Sequence, residues 1–175
     1  LELGCGCGDL LAALEPSYGV GVDFSPRAIR RAKERHPNLQ FHLGDSEDAQ
    51  TLAQIEGPFD YVVIADTIGM FESIDETLRL VHQLCEPSTR IVISYYSHLW
   101  EPILKLGEVL RLKSRQPKVN YIATADFLNL MDLADFEMIR QEQRQLVPRR
   151  LFGLGPFVNR YIAPLPGIRK LCLRI

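Results

Sequence analysis

The sequence predicts an α/β protein built on a doubly wound, mostly parallel sheet with helices on both faces. Three observations carry that expectation. Short β-rich runs alternate with helical stretches through the first 97 residues, the rhythm that parallel strands with right-handed crossovers require. One of those runs, FDYVVIAD at 59–66, is almost continuously apolar, as a central strand buried on both faces must be. The opening LELGCGCG sets glycines at 4, 6 and 8 directly behind an apolar strand end, where sheets of this kind open their ligand crevice.

The elements follow in order. YGVGVD at 18–23 reads as a strand, and SPRAIRRAKERHP after it as a helix. Ser25 is its natural N-cap, Pro26 takes the first helical position and Pro37 stops it. LQFHLGD at 39–45 is a strand with Leu39, Phe41 and Leu43 on one face. After 59–66, SIDETLRLVHQLCEP at 73–87 places Ile74, Leu78, Val81 and Leu84 at helical spacing, closed by Pro87. RIVISYYS at 90–97 is the next strand.

Beyond residue 97 the rhythm changes. Leu99, Ile103, Leu106 and Leu110 predict an amphipathic helix over 98–112, followed by a basic stretch at 113–120. TADFLNLMDLADF is a helix capped by Thr124 or Asp126, and FEMIRQEQRQLV at 136–147 alternates as a strand does. Residues 149–167 are rich in Gly, Pro and aromatics and fit neither period; the tail IRKLCLRI alternates as a last strand.

With 175 residues, 46% hydrophobic and 24% charged, the chain suits one globular domain, and no run approaches a membrane span. The sequence lacks an initiator Met and starts inside a strand. The expectation is therefore a domain missing its start, with a further N-terminal domain as a partner. The net charge of −2 divides unevenly: residues 1–99 carry 7 Lys/Arg against 15 Asp/Glu, residues 100–175 carry 13 against 7. The basic half is either an ordinary solvated face or a surface for an anionic partner. Cys5, Cys7, Cys85 and Cys172 fit no zinc spacing, so no metal is expected, and reduced thiols suggest a cytoplasmic protein.

The glycine spacing narrows the ligand. A dinucleotide fingerprint needs a glycine where Asp9 stands; here the run is Glu2-x-Gly4-x-Gly6-x-Gly8. That favours a ligand with a charged amino-acid portion over a pyrophosphate. In this run the chain resembles the class I S-adenosylmethionine-dependent methyltransferases, whose first motif is an acid followed by three alternating glycines. Asp23 fits the family's strand-end acid for the ribose hydroxyls, with Phe24 beside the adenine. Asp45 in HLGDSED fits the acid that meets the adenine amine, with Ser46 next to it, and Asp66 lies near the methionine end. The departure is Pro87-Ser88, where the family often has Pro-Gly.

The resemblance implies a Rossmann-like, seven-stranded methyltransferase fold spanning 1–175, with S-adenosylmethionine as cofactor. Residues 1–97 form the cofactor-binding half. Residues 98–175 form the acceptor side, its cover and the terminal strands. The implied cofactor contacts are Glu2, Gly4, Cys5, Gly6, Asp23, Phe24, Asp45, Ser46 and Asp66. Glu2 orients the glycine loop or the ligand's ammonium rather than performing chemistry.

Nucleic-acid acceptors are disfavoured, because ADTIGMF stands where amino-methylating enzymes carry Asn/Asp-Pro-Pro-aromatic and no Pro-Cys pair is present. A small-molecule, glycan or lipid-linked acceptor remains, with peripheral membrane association as the matching expectation for the basic, aromatic segments 98–120 and 149–167. The stretch NRYIAPLPGIRKLCLR is similar to methyltransferase domains found alongside bacterial glycosyltransferase domains. Candidate bases are His98 and Tyr95, with Tyr96 beside them. The competing reading is a degenerate, cofactor-binding scaffold.

Overall fold

The structure is a computed structural model that describes residues 1–97, 100–102, 105, 120, 122–142, 155–163, 165, 168 and 172. Among the described residues, five strands form the sheet: β1 (Glu2–Leu3), β2 (Val20–Asp23), β3 (Gln40–Leu43), β4 (Phe59–Ala65) and β5 (Cys85–Ser94), in the spatial order β3-β2-β1-β4-β5. Every pairing is parallel. The order reverses direction at β1, between β2 and β4. Such a switch point leaves a crevice at the carboxyl ends of the strands.

The packing divides into two layers for a local reason. Side chains alternate along a strand, so Val20 and Val22 of β2 enter the larger core, where Leu3, Val62, Ile64, Leu78 and Val81 join them, all essentially inaccessible. Gly21 between them faces the opposite side. A Cβ there would stand 2.8 Å from both the Cys5 sulfur and the Phe41 ring. This second layer holds Cys5, Phe41, Leu11 of α1 (Asp9–Ala13) and Ile29 and Ala32 of α2 (Pro26–Arg35). Each fully buried aliphatic side chain contributes roughly 1.5–3 kcal/mol.

Helix α2 begins as its sequence implies. Ser25 occupies the cap position, its hydroxyl accepts the Ala28 N–H at 3.3 Å, and Pro26 follows. A cap of this kind contributes about 1 kcal/mol. Helix α3 (Ala49–Leu52) is capped by Asp48, whose carboxylate accepts from the N–H groups of Gln50 and Thr51. Helices α4 (Ile74–His82) and α5 (Thr124–Leu133) share the larger core through Leu78, Val81, Phe127 and Met131.

Four expectations are corrected. Helix α4 ends at His82, and Cys85, Glu86 and Pro87 belong to β5. Pro87 is tolerated because the ladder is irregular there: Phe59 pairs with Cys85 but Tyr61 with Arg90, a bulge that needs no ladder N–H from the proline. Helix α5 starts at Thr124, but Ala123 holds the cap position and no side chain, neither Thr124 nor Asp126, makes a cap bond. Residues 136–142 are not a strand; Phe136 turns inward instead, packing on the larger core and tilting against His82 at 5.1 Å. Within 149–167, Gly155–Phe157 and Val158–Ile162 are helical, the latter π-like.

Residues 98–99, 106–119, 143–154 and most of the tail, including the expected last strand, lie outside the described residues. No helix among the described residues is long and apolar enough to cross a membrane.

Candidate cofactor cleft

Strand β1 ends at Leu3, and the chain stays tied to β2 as it turns. The N–H groups of Gly4 and Cys5 both donate to the Val22 carbonyl, at 2.8 and 2.9 Å. Gly4 and Gly6 then take left-handed conformations, with φ of +72° and +54°. Side chains are strained in that region. A Cβ on Gly4 would also lie 2.4 Å from the Thr67 side chain, whereas one on Gly6 would meet nothing within 4 Å. Glycine at 4 lets the loop close against the β4 exit, and at 6 it leaves open space.

Asp23 holds this loop in place. Its Oδ2 accepts the Gly6 N–H and its Oδ1 the Ser25 N–H, both at 2.8 Å. One buried carboxylate thus joins the glycine loop to the start of α2. Each oxygen keeps a second lone pair for a further donor.

The cleft above this bridge has a volume of about 470 Å³. Gly4, Asp23, Phe24, Asp45, Ser46 and Thr67 line it, and Met70, Phe71, Glu72 and Ser73 form its other wall, with Glu47 and Glu76 between. Phe24 is 70% exposed, a free ring face at the mouth. Asp45 is fixed by a local turn in which its Oδ1 accepts the Glu47 N–H at 3.0 Å. Among the described residues, the charged side chains lining the cleft, Asp23, Asp45, Glu47, Glu72 and Glu76, are all acidic. Such a pocket favours a cationic, donor-rich ligand and repels phosphates.

Glu2, Cys5, Gly6 and Asp66 are not among the lining residues. Glu2 is 3% exposed beneath the loop. Burial pushes its carboxyl up to about 7, held back in part by the Leu11 N–H of α1. Its Oε2 has no hydrogen-bond partner among the described residues. Cys5 points into the second core layer, and burial, reinforced by the Asp23 and Glu2 charges, raises its thiol to about 12. It is a packing residue, and any contact with a ligand would run through its backbone.

Asp66 has a left-handed backbone at φ +57°. Its N–H donates to the Ser94 carbonyl at 2.9 Å, while the Ser94 hydroxyl donates to Asp66 Oδ1 at 3.1 Å. Thr67 takes the lining position beside it, its hydroxyl donating to the Ala65 carbonyl at 3.0 Å.

Of the candidate bases, Tyr95 is placed in the core. It is 4% exposed, with its ring 4.7 Å from that of Phe127. Burial raises its hydroxyl, moderated by the nearby Thr124, and among the described residues no group meets that hydroxyl in hydrogen-bond geometry. Tyr95 thus belongs to the larger core and is not among the residues lining the cleft. His98 lies outside the described residues.

Sequence reasoning did not find the wall from Met70 to Ser73, nor Glu47 and Thr67. The acids in FESIDE were a signal that read only as a helix start. Asn120, also missed, pins this wall from behind: its backbone N–H donates to the Gly69 carbonyl and its amide to the Phe71 carbonyl at 3.1 Å.

The family described as "Methyltransferase domain" matches residues 1–141. This chain belongs to it. Among curated relatives of this methyltransferase domain is the demethylmenaquinone methyltransferase of Lactobacillus johnsonii, 31% identical over 115 residues, which are 61% of this chain and 47% of that protein. The chain spans about half the length of that relative. Among solved structures, an S-adenosylmethionine-dependent methyltransferase from Mesorhizobium loti shares the fold with a TM-score of 0.70 at 14% identity, covering 99% of this chain and 86% of its own. A protein from Thermotoga maritima described as a possible histamine N-methyltransferase gives 0.67 at 20% identity, covering 84% and 67%.

Proposed function

We propose that this domain transfers a methyl group from S-adenosylmethionine to a small-molecule acceptor. The observation that carries the reading is the cleft at the β1 switch point, where a glycine cradle, an exposed aromatic ring and five acidic side chains converge. These residues fit the donor. A Cβ at Gly4 would meet Thr67, so the turn closes there only with glycine. Asp23 and Asp45 offer charged acceptors for a diol and an amine, which bind more strongly than neutral ones. Phe24 offers a face for a planar base.

The bound donor supplies an electrophilic methyl on a sulfonium. The protein's share of such a displacement is chiefly proximity and orientation. Asp23 contributes twice, fixing the Gly6 N–H and presenting its remaining lone pairs to the cleft. Glu2 supports the loop from beneath, beside the first turn of α1. Thr67 shapes the floor where Gly4 approaches it. The retention of Glu2, Asp23 and Asp45 in this arrangement supports an active domain over a scaffold. The Lactobacillus johnsonii relative, named for demethylmenaquinone, supports a small-molecule acceptor.

Calorimetric titration of the purified protein with S-adenosylhomocysteine tests the reading. Saturable one-to-one binding is expected, with no response to NAD. Absence of binding to S-adenosylhomocysteine would overturn it.

A further inference from the structure

We infer that Glu47 is a positioning residue that locks the two walls of the cleft together, so that affinity for the adenosyl portion of the ligand depends on it. The inference rests on the cofactor reading above. Glu47 stands in the loop between β3 and α3, and its carboxylate reaches across to the start of α4. Its Oε2 accepts the Glu72 N–H at 2.9 Å and its Oε1 the Ser73 N–H at 2.8 Å, with the Thr77 hydroxyl 3.4 Å from Oε1.

They are the N–H groups of Ser73, at the cap position of α4, and of Glu72 just before it. The expected local cap is diverted, because the Ser73 hydroxyl donates to Asp75 instead and makes no cap bond to its own helix. The entry into α4 is instead tied down by a residue 25 positions upstream of Glu72.

The same residue sets the opposite wall. Its backbone N–H is the group that aligns Asp45 Oδ1, at 3.0 Å. Its neighbour Ser46 is 6% exposed and lines the cleft. Through its N–H Glu47 holds Asp45, and through its carboxylate it holds Glu72 and Ser73. All four residues line the same cavity. Two loops from different crossovers thus have a fixed separation, set by one side chain with bidentate, charge-assisted bonds. A cleft whose width is fixed in advance spares the ligand the cost of ordering its walls.

The test uses Glu47→Ala and Glu47→Gln in the full chain, titrated with S-adenosylhomocysteine and separately with adenosine. Measurements are made at a temperature where circular dichroism shows each variant fully folded. The expected result is a Kd raised about tenfold for both ligands in Glu47→Ala. Glu47→Gln is isosteric but turns an N–H donor toward one of the two backbone donors, so it should lose affinity as well. With methyl transfer followed, KM for the donor should rise while kcat stays near that of the wild type.

If both variants, or Glu47→Gln alone should Glu47→Ala fail to fold, bind as tightly as the wild type and only melt earlier, Glu47 only ties down the entry into α4 and the inference fails. If the wild type itself binds no S-adenosylhomocysteine, the cofactor reading fails and takes this inference with it.

Discussion

Replacing Asp23 tests the centre of the cleft, because the same carboxylate has a structural and a ligand-binding task that separate assays can read. Its two oxygens each accept one backbone N–H at 2.8 Å, from Gly6 and from Ser25. Hydrogen bonds to charged groups contribute about 1.5–3 kcal/mol each. Water can reach part of this loop once the side chain is gone, so the bonds are not lost in full. Asp23→Ala should cost about 2–4 kcal/mol of stability, and Asp23→Asn, which keeps one accepting oxygen, about half that. From a total of about 5–15 kcal/mol, both variants remain folded. In urea the alanine midpoint should fall by about 1–2 M. Ligand affinity should fall further than stability explains, because the lone pairs facing the cleft disappear too: about 10- to 150-fold for S-adenosylhomocysteine, measured by calorimetry on folded protein. An unchanged urea midpoint in Asp23→Ala would refute the loop-holding role. An unchanged Kd would refute the contact with the ligand.

Two further outcomes follow from buried groups. Glu2 titrates near 7 when folded against 4.5 when free, so between those pH values the unfolded chain has released its proton while the folded one keeps it. Stability contributed by this group is therefore present below about pH 4.5 and lost as pH rises through about 7, a difference of about 3 kcal/mol. Denaturation curves of wild type and Glu2→Gln should diverge over that window and run parallel above it; parallel curves throughout would show that Glu2 is not held neutral. Tyr95→Phe removes a buried hydroxyl with no hydrogen-bond partner among the described residues, so stability should stay level or rise by about 1 kcal/mol and methyl transfer should persist. A collapse of kcat would return Tyr95 to the site.

Patterns of apolar residues and proline made the first half of the fold legible. FDYVVIAD marks β4, and Pro26 and Pro37 bracket α2 at both ends. The same proline logic misplaced the end of α4, because Pro87 sits in a β5 bulge rather than behind a helix, and a bulge has no sequence period. Asp23, Phe24, Asp45 and Ser46 line the cleft; the sequence pointed to them through the family resemblance, which expects such residues at strand exits. Glu47, Glu72 and Ser73 were not legible, since a carboxylate reaching backbone N–H groups 25 and 26 residues away leaves no trace in spacing. Tyr95 was ambiguous for a related reason. Its burial is decided by Phe127 on α5, far along the chain.

The negative charges around the cleft bear on turnover. On the proposed reading the donor enters as a sulfonium and remains after transfer as a neutral thioether, one positive charge poorer. Asp23, Asp45, Glu47, Glu72 and Glu76 attract the first through Coulomb forces that the second no longer feels. At an effective dielectric near 20, a unit charge some 8 Å from a single carboxylate gains about 2 kcal/mol before salt screening. The spent molecule therefore competes less well than a fresh one for the same walls, and raising ionic strength should narrow that gap. Discharge of the ligand by the reaction is itself what loosens it.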